Sequence, residues 1–186
     1  MMPNQHSLAA IIQELNQASD QLTEEQMELL SEAIGSAGRI FVAGAGRSGL
    51  MMRAFAMRLM HLGLDVYVVG ETVTRSLSKG DLLLIGSGSG ETKSLVPMAE
   101  KAKSLEAAVG VLTLSPASTI GTLADVVVKL PGAPKDQAAN EATTIQPMGS
   151  LFEQMLLIVC DAIILRLMEK QALSGQAMYG NHANLE

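Results

Sequence analysis

The stretch RIFVAGAGRSGL, residues 39–50, decides how the rest of the chain is read. An apolar run from Arg39 to Ala43 has the composition of a buried strand. It breaks into Gly44-Ala45-Gly46-Arg47-Ser48-Gly49, and a stretch with helical apolar spacing follows. Strand, glycine turn and helix in that order open a βα unit. The turn also satisfies the G-x-G-x-x-G dinucleotide fingerprint letter for letter. Two ligands therefore compete for it, a dinucleotide or some other phosphate, beside the plain alternative that the glycines only permit a tight turn.

Outward from this turn the pattern repeats. Runs at 65–69 (DVYVV), 81–85 (DLLLI), 109–114 (VGVLTL) and 125–130 (DVVVKL) are nearly continuous in apolar residues, as strands covered on both faces should be. Helical spacing fills about 48–62, 91–105, 117–123 and 149–172. Two further helices, 7–22 and 24–36, precede the first strand, the second opened by a capping-box pattern at Thr23-Glu24-Glu25-Gln26. Alternating strands and helices imply right-handed crossovers and a parallel sheet. The predicted fold is a three-layer α/β sandwich with five parallel strands in the flavodoxin-like order 2-1-3-4-5, N-terminal helices and a long C-terminal helix. One domain is expected over 1–186, with 1–36 a helical extension and 37–186 the α/β core. The only linker-like piece, 131–147, has the length of an active-site loop.

Composition narrows the function classes. With 186 residues the chain can bury about 70% of its unfolded surface. Aromatics make up 3% of the residues while Met reaches 12, so aliphatic and thioether side chains must fill the core. A net charge of −6 with 13 scattered Lys and Arg argues against nucleic acid, which requires clustered cations. A small phosphate is still compatible, because a helix N-terminus and one or two cations suffice. The single Cys160 cannot form an intramolecular disulfide, and MMPNQHSLAA lacks the basic and apolar regions of a signal peptide, so cytoplasmic residence is expected. The apolar run 155–160 stops at Asp161, far short of the ~20 residues that span a bilayer.

With strand order 2-1-3-4-5 the ligand crevice falls between strands one and three. Strand one ends at the turn holding Gly46, Arg47 and Ser48; strand three ends in GSGSGET, residues 86–92. Ser87, Ser89 and Thr92 supply three hydroxyls, Gly88 and Gly90 let backbone amides approach, and the helix expected from Glu91 aims its positive end at the same point. That set suits a phosphate monoester. A dinucleotide pyrophosphate leaves the hydroxyls unexplained and requires an acid after strand two, for which Glu71 is only an approximate candidate. The rival reading makes Ser87 or Ser89 a helix cap and Arg47 a solvated side chain.

No Cys/His or Ser/His/Asp arrangement and no metal-ligand spacing occurs. Glu153, in QPMGSLFEQMLLIVC, is the carboxylate at a helix mouth flanked by Met148, Phe152 and Met155. Ser150 and Glu153 fit a capping box, and by sequence alone the cap comes first; partial desolvation beside those apolar neighbours is the competing catalytic reading. His61 ends the first crossover helix and His182 lies in the tail; either could act as an acid/base group, although His61 fits a structural role at the helix C-terminus.

Together GAGRSG, FAMRLMHLG, GSGSGET, IQPMGSLFEQ and the terminal HANLE closely resemble the 6-phospho-3-hexuloisomerases, enzymes of the sugar isomerase (SIS) domain family. The likeness runs from about residue 35 to the C-terminus. IQPMGSLFEQ and HANLE are its specific pieces, and the glycine turns are shared by SIS domains generally. The resemblance implies interconversion of D-arabino-3-hexulose 6-phosphate and fructose 6-phosphate through an enediol(ate), in the ribulose monophosphate route of formaldehyde fixation, with no metal or nucleotide. It further implies a homotetramer with active sites near subunit interfaces. Carried onto these positions, Arg47 and the turn Ser87, Gly88, Ser89, Gly90, Glu91 and Thr92 bind the phosphate, Glu153 accepts the proton, and His182 acts from a neighbouring subunit. The alternatives are a phosphosugar-sensing module that does not turn over, and a dinucleotide-dependent oxidoreductase.

Overall fold

The structure, a computed structural model, describes residues 7–135 and 144–185. Helices α1 (Ser7–Ser19) and α2 (Glu24–Ser36) lead into strand β1 (Ile40–Gly44), followed by α3 (Gly46–His61), β2 (Val66–Val68) and β3 (Leu82–Gly86). Then come α4 (Val96–Ser104), β4 (Ala108–Thr113), α5 (Thr119–Leu123), β5 (Val126–Lys129), the long α6 (Ser150–Gln171) and the short α7 (Gly175–Tyr179). The five strands are parallel in the order β2-β1-β3-β4-β5, as predicted.

Strand periodicity divides the core in two. Ile40 and Val42 with Leu82 and Leu84 face α1, α2, α3 and α6, whereas Phe41 and Ala43 with Leu83 and Ile85 face α4 and α5. The central strands β1, β3 and β4 are almost wholly buried; the edge strands β2 and β5 are only partly covered, which departs from the expectation of equal cover on every strand. Met52, Phe55 and Leu59 seat α3 on the first face, each fully buried and worth roughly 1.5–3 kcal/mol in apolar transfer. Because α3 and α4 lie on opposite faces, the winding reverses between β1 and β3. Gly44 pairs in register with Gly86 at that point, so both glycine turns leave the sheet side by side.

Three local differences have physical causes. Helix α4 begins at Val96, not near Glu91, because the hydroxyls of Ser87 and Ser89 take the amides of Gly90 and Glu91 into turns, and Pro97 favours a helix start beside itself. Thr23 caps α2 by accepting from the Gln26 amide at 3.4 Å, one half of the predicted box. The tail folds into α7 because Ser174 caps it at the Ala177 amide. The middle of the predicted active-site loop, 136–143, lies outside the described residues. Among the described residues no helix is long and apolar enough to cross a membrane.

Candidate active site

Two of the three fingerprint glycines, Gly44 and Gly49, serve packing, while Gly46 has open space around it and a left-handed φ of +57°. A Cβ on Gly49 would stand 2.7 Å from the Gly44 carbonyl oxygen, and one on Gly44 would stand 2.9 Å from the Gly49 Cα. Only glycine at both positions lets the first turn of α3 approach the end of β1 this closely. Glu71, the candidate ribose acid, forms a surface ion pair with Arg53.

Beyond Gly44 and Gly86 lies a cavity of about 420 Å³. The first turn contributes Gly46 and Ser48, the second contributes Ser87, Gly88, Ser89 and Thr92, and the start of α6 contributes Gly149, Phe152 and Glu153. Ser87 is buried; its Oγ accepts the Gly90 amide at 3.2 Å and lies 3.1 Å from Thr92 Oγ1. Ser89 Oγ accepts the Glu91 amide at 3.2 Å, so both serines shape the turn while facing the cavity. Gly90 and Glu91 belong to the turn but do not line the cavity. Gly90 adopts φ +63°, and a Cβ there would stand 1.9 Å from Ser118 Oγ. Glu91 reaches the other way: its Oε1 accepts the Thr119 amide at 2.6 Å at the start of α5, and that bond holds its carboxyl below the usual range.

Glu153 is where sequence and structure part most clearly. The predicted capping box fails because Gly149, in the left-handed conformation at φ +79°, is the N-cap of α6. The helix therefore starts one residue early for the box. Ser150 becomes its first residue, and the Glu153 carboxylate is not recruited to the Ser150 amide, which donates to the Pro147 carbonyl instead. The buried carboxylate accepts Arg47 Nη1 at 2.9 Å, and the same nitrogen donates to Ser150 Oγ at 3.1 Å. Arg47 thus stands beside the cavity, attached to Glu153, rather than among the residues lining it.

The two candidate histidines, His61 and His182, lie elsewhere in the chain. His61 is 15 residues along α3 from Gly46, about 22 Å at the helical rise. It is buried, its ring stacks on His182 at a centroid distance of 5.4 Å, and the Asn181 side-chain amide donates to its carbonyl at 2.9 Å. Burial pushes its pKa below the ordinary value, and the electrostatic influence of Arg58 and His182 pushes the same way. Arg58 Nη1 lies 3.2 Å from His61 Nδ1. Within one chain neither histidine meets Glu153.

The predicted loop 131–147 supplies cavity residues that nothing in the sequence singled out. Lys135 lines the same space from the segment after β5, with Ala133 and Pro134. No periodicity marks it; the only signal is a cation in the Pro- and Gly-rich stretch PGAPK. Among the described residues no three His, Cys, Asp or Glu side chains gather where a metal ion could be held.

Residues 33–158 match the model of the SIS domain. The chain is 53% identical over 179 residues to a Bacillus subtilis (strain 168) protein named 3-hexulose-6-phosphate isomerase, covering 96% of this chain and 97% of the relative. It is 42% identical to a Mycobacterium gastri protein of the same name, covering 97% and 90%. A crystal structure from Methanococcus jannaschii, from which the molecular function of 3-hexulose-6-phosphate isomerase was inferred, superposes with a TM-score of 0.84 at 32% identity over 98% of this chain and all of the other.

Proposed function

Since the chain belongs to the SIS domain family, we infer that it is a phosphosugar isomerase interconverting D-arabino-3-hexulose 6-phosphate and fructose 6-phosphate. The observation that carries this reading is that a buried carboxylate, Glu153, and a hydroxyl-rich turn, Ser87 to Thr92, share one cavity in a chain so similar to proteins named for that reaction. The cavity volume of about 420 Å³ falls in the usual range for small-molecule sites.

The reaction moves a carbonyl from C3 to C2. In the mechanism proposed, Glu153 removes the C2 proton, the electron pair forms a 2,3-enediol(ate), and the same carboxyl returns a proton to C3 while the hydroxyl proton passes from O2 to O3. Arg47, itself donating to Ser150 Oγ, supports the proposal by holding the carboxylate at one place at the cavity edge. The turn from Ser87 to Thr92 is proposed to take the phosphate, through the Ser87, Ser89 and Thr92 hydroxyls and the backbone at Gly88. Gly46 and Ser48 complete that wall, and Gly90 and Glu91 keep the turn in shape. Anchoring C6 lets binding energy from a remote group orient the reacting carbons.

The same reading makes the protein a cytoplasmic homotetramer using no metal or nucleotide, with one compact domain over 1–186 and active sites near subunit interfaces. Leu50 and Met57 on α3 and Leu165 on α6 support an assembly, each being more than half exposed. His182 would then serve the site of a neighbouring subunit, and His61 would hold it. A coupled assay detecting fructose 6-phosphate formed from synthetic 3-hexulose 6-phosphate tests the reading: turnover is expected, and none would refute it.

A further inference from the structure

A phosphate monoester carries close to two negative charges near neutral pH. Neutral hydroxyls and amides solvate such a charge but do not balance it. Arg47 is the obvious cation, yet its Nη1 is committed to Glu153, so the pair brings no net charge to the cavity. Lys135 is the one Lys or Arg among the described residues lining the cavity. Among the described residues no carboxylate pairs with it.

Its position is built. Gly132 lets the segment lie across the first turn of α6, since a Cβ there would stand 3.0 Å from Phe152; the Lys135 Cγ and the Ala133 carbonyl oxygen each come within 3.5 Å of where a Cβ on Gly149 would stand, an ordinary contact distance. Ala133 is buried in the same seat. The Lys135 stem therefore lies against the N-cap of a 22-residue helix, whose positive end favours an anion.

We propose that Lys135 is the cation that recognises the substrate phosphate, and that Arg47 is a positioning residue for Glu153. This rests on the isomerase reading above. A ground-state contact to a remote phosphate predicts an effect on KM with little on kcat.

The test compares wild type, Lys135→Ala and Lys135→Arg in calorimetric binding of fructose 6-phosphate and inorganic phosphate, and in steady-state turnover. Lys135→Ala should weaken both ligands by roughly 10- to 100-fold, the loss of one charge-assisted contact. KM should rise by a similar factor with kcat within about threefold, and Lys135→Arg should recover most of the affinity. Unchanged fructose 6-phosphate affinity in Lys135→Ala would overturn the proposal. So would a fall in kcat at constant KM, which would put the ammonium at the reacting carbons. If wild type binds fructose 6-phosphate but turns over no 3-hexulose 6-phosphate, the isomerase reading fails while the binding arm still decides Lys135.

Discussion

Arg47, the second residue of α3, and Glu153, the fourth residue of α6, meet at 2.9 Å across 106 positions of chain. Arg47 stands half exposed at the mouth and Glu153 is buried. The contact ties the turn after β1 to the helix that closes the other side of the cavity. It gives a buried carboxylate a fixed partner and a single direction.

Arg47→Ala is therefore expected to reduce kcat by roughly 10- to 100-fold, because a misplaced base loses alignment with the proton it removes. KM should change less than kcat. Steady-state kinetics decides; a rise in KM with kcat intact would return Arg47 to the phosphate.

Glu153→Gln keeps the shape and a hydrogen-bond partner for Arg47 but removes the base. Turnover should fall by roughly 10²- to 10⁴-fold with fructose 6-phosphate affinity largely kept. Wild type should also exchange the C3 proton of fructose 6-phosphate with deuterated solvent, followed by NMR, and the variant should not. Exchange at the wild-type rate in Glu153→Gln would place the base on another residue.

The glycine positions separate by what surrounds them. Gly49→Ala forces a methyl against the Gly44 carbonyl oxygen and should destabilise the fold by about 1–3 kcal/mol. Gly35→Ala, in α2 with open space around it, should stabilise by about 0.5 kcal/mol. Denaturant unfolding of the two variants measures the contrast.

His61 makes stability depend on pH. Its folded pKa lies below the unfolded value near 6.5, so the unfolded chain binds the proton more readily. Its contribution is fully present above about pH 6.5 and is lost as pH falls from there through the folded pKa. Thermal melts should show a Tm falling from pH 7.5 to 5.5, and His61→Phe should flatten that slope. An equal slope in the variant would assign the effect to other groups.

Cys160 is buried and free, and burial pushes its thiol far above the ordinary value. A thiol reagent should label it only on unfolding. Rapid labelling of the native protein would show that α6 opens.

Much of this was legible in the residues alone. The strand runs, with a glycine turn after β1 and after β3, announced a parallel sheet and its crevice, since hydrophobic periodicity and turn chemistry are local properties. Glu153 was visible as an acid at a helix mouth. Its partner was not, because pairing over 106 positions follows from how α3 and α6 cross. The cap forecast at Ser150 failed for a local reason, the left-handed Gly149, which moves the helix start by one residue. Lys135 fell within the predicted loop 131–147 but nothing singled it out there, since its place depends on Gly132 letting one segment ride over another.

GAGRSG illustrates the division. That this stretch turns sharply from a strand into a helix was settled by its own glycines. What Arg47 in its middle attends to was settled by α6, which brings a carboxylate alongside it. Backbone geometry is governed by neighbours in sequence, whereas a charge answers to whatever opposite charge the packed chain delivers within a few ångströms.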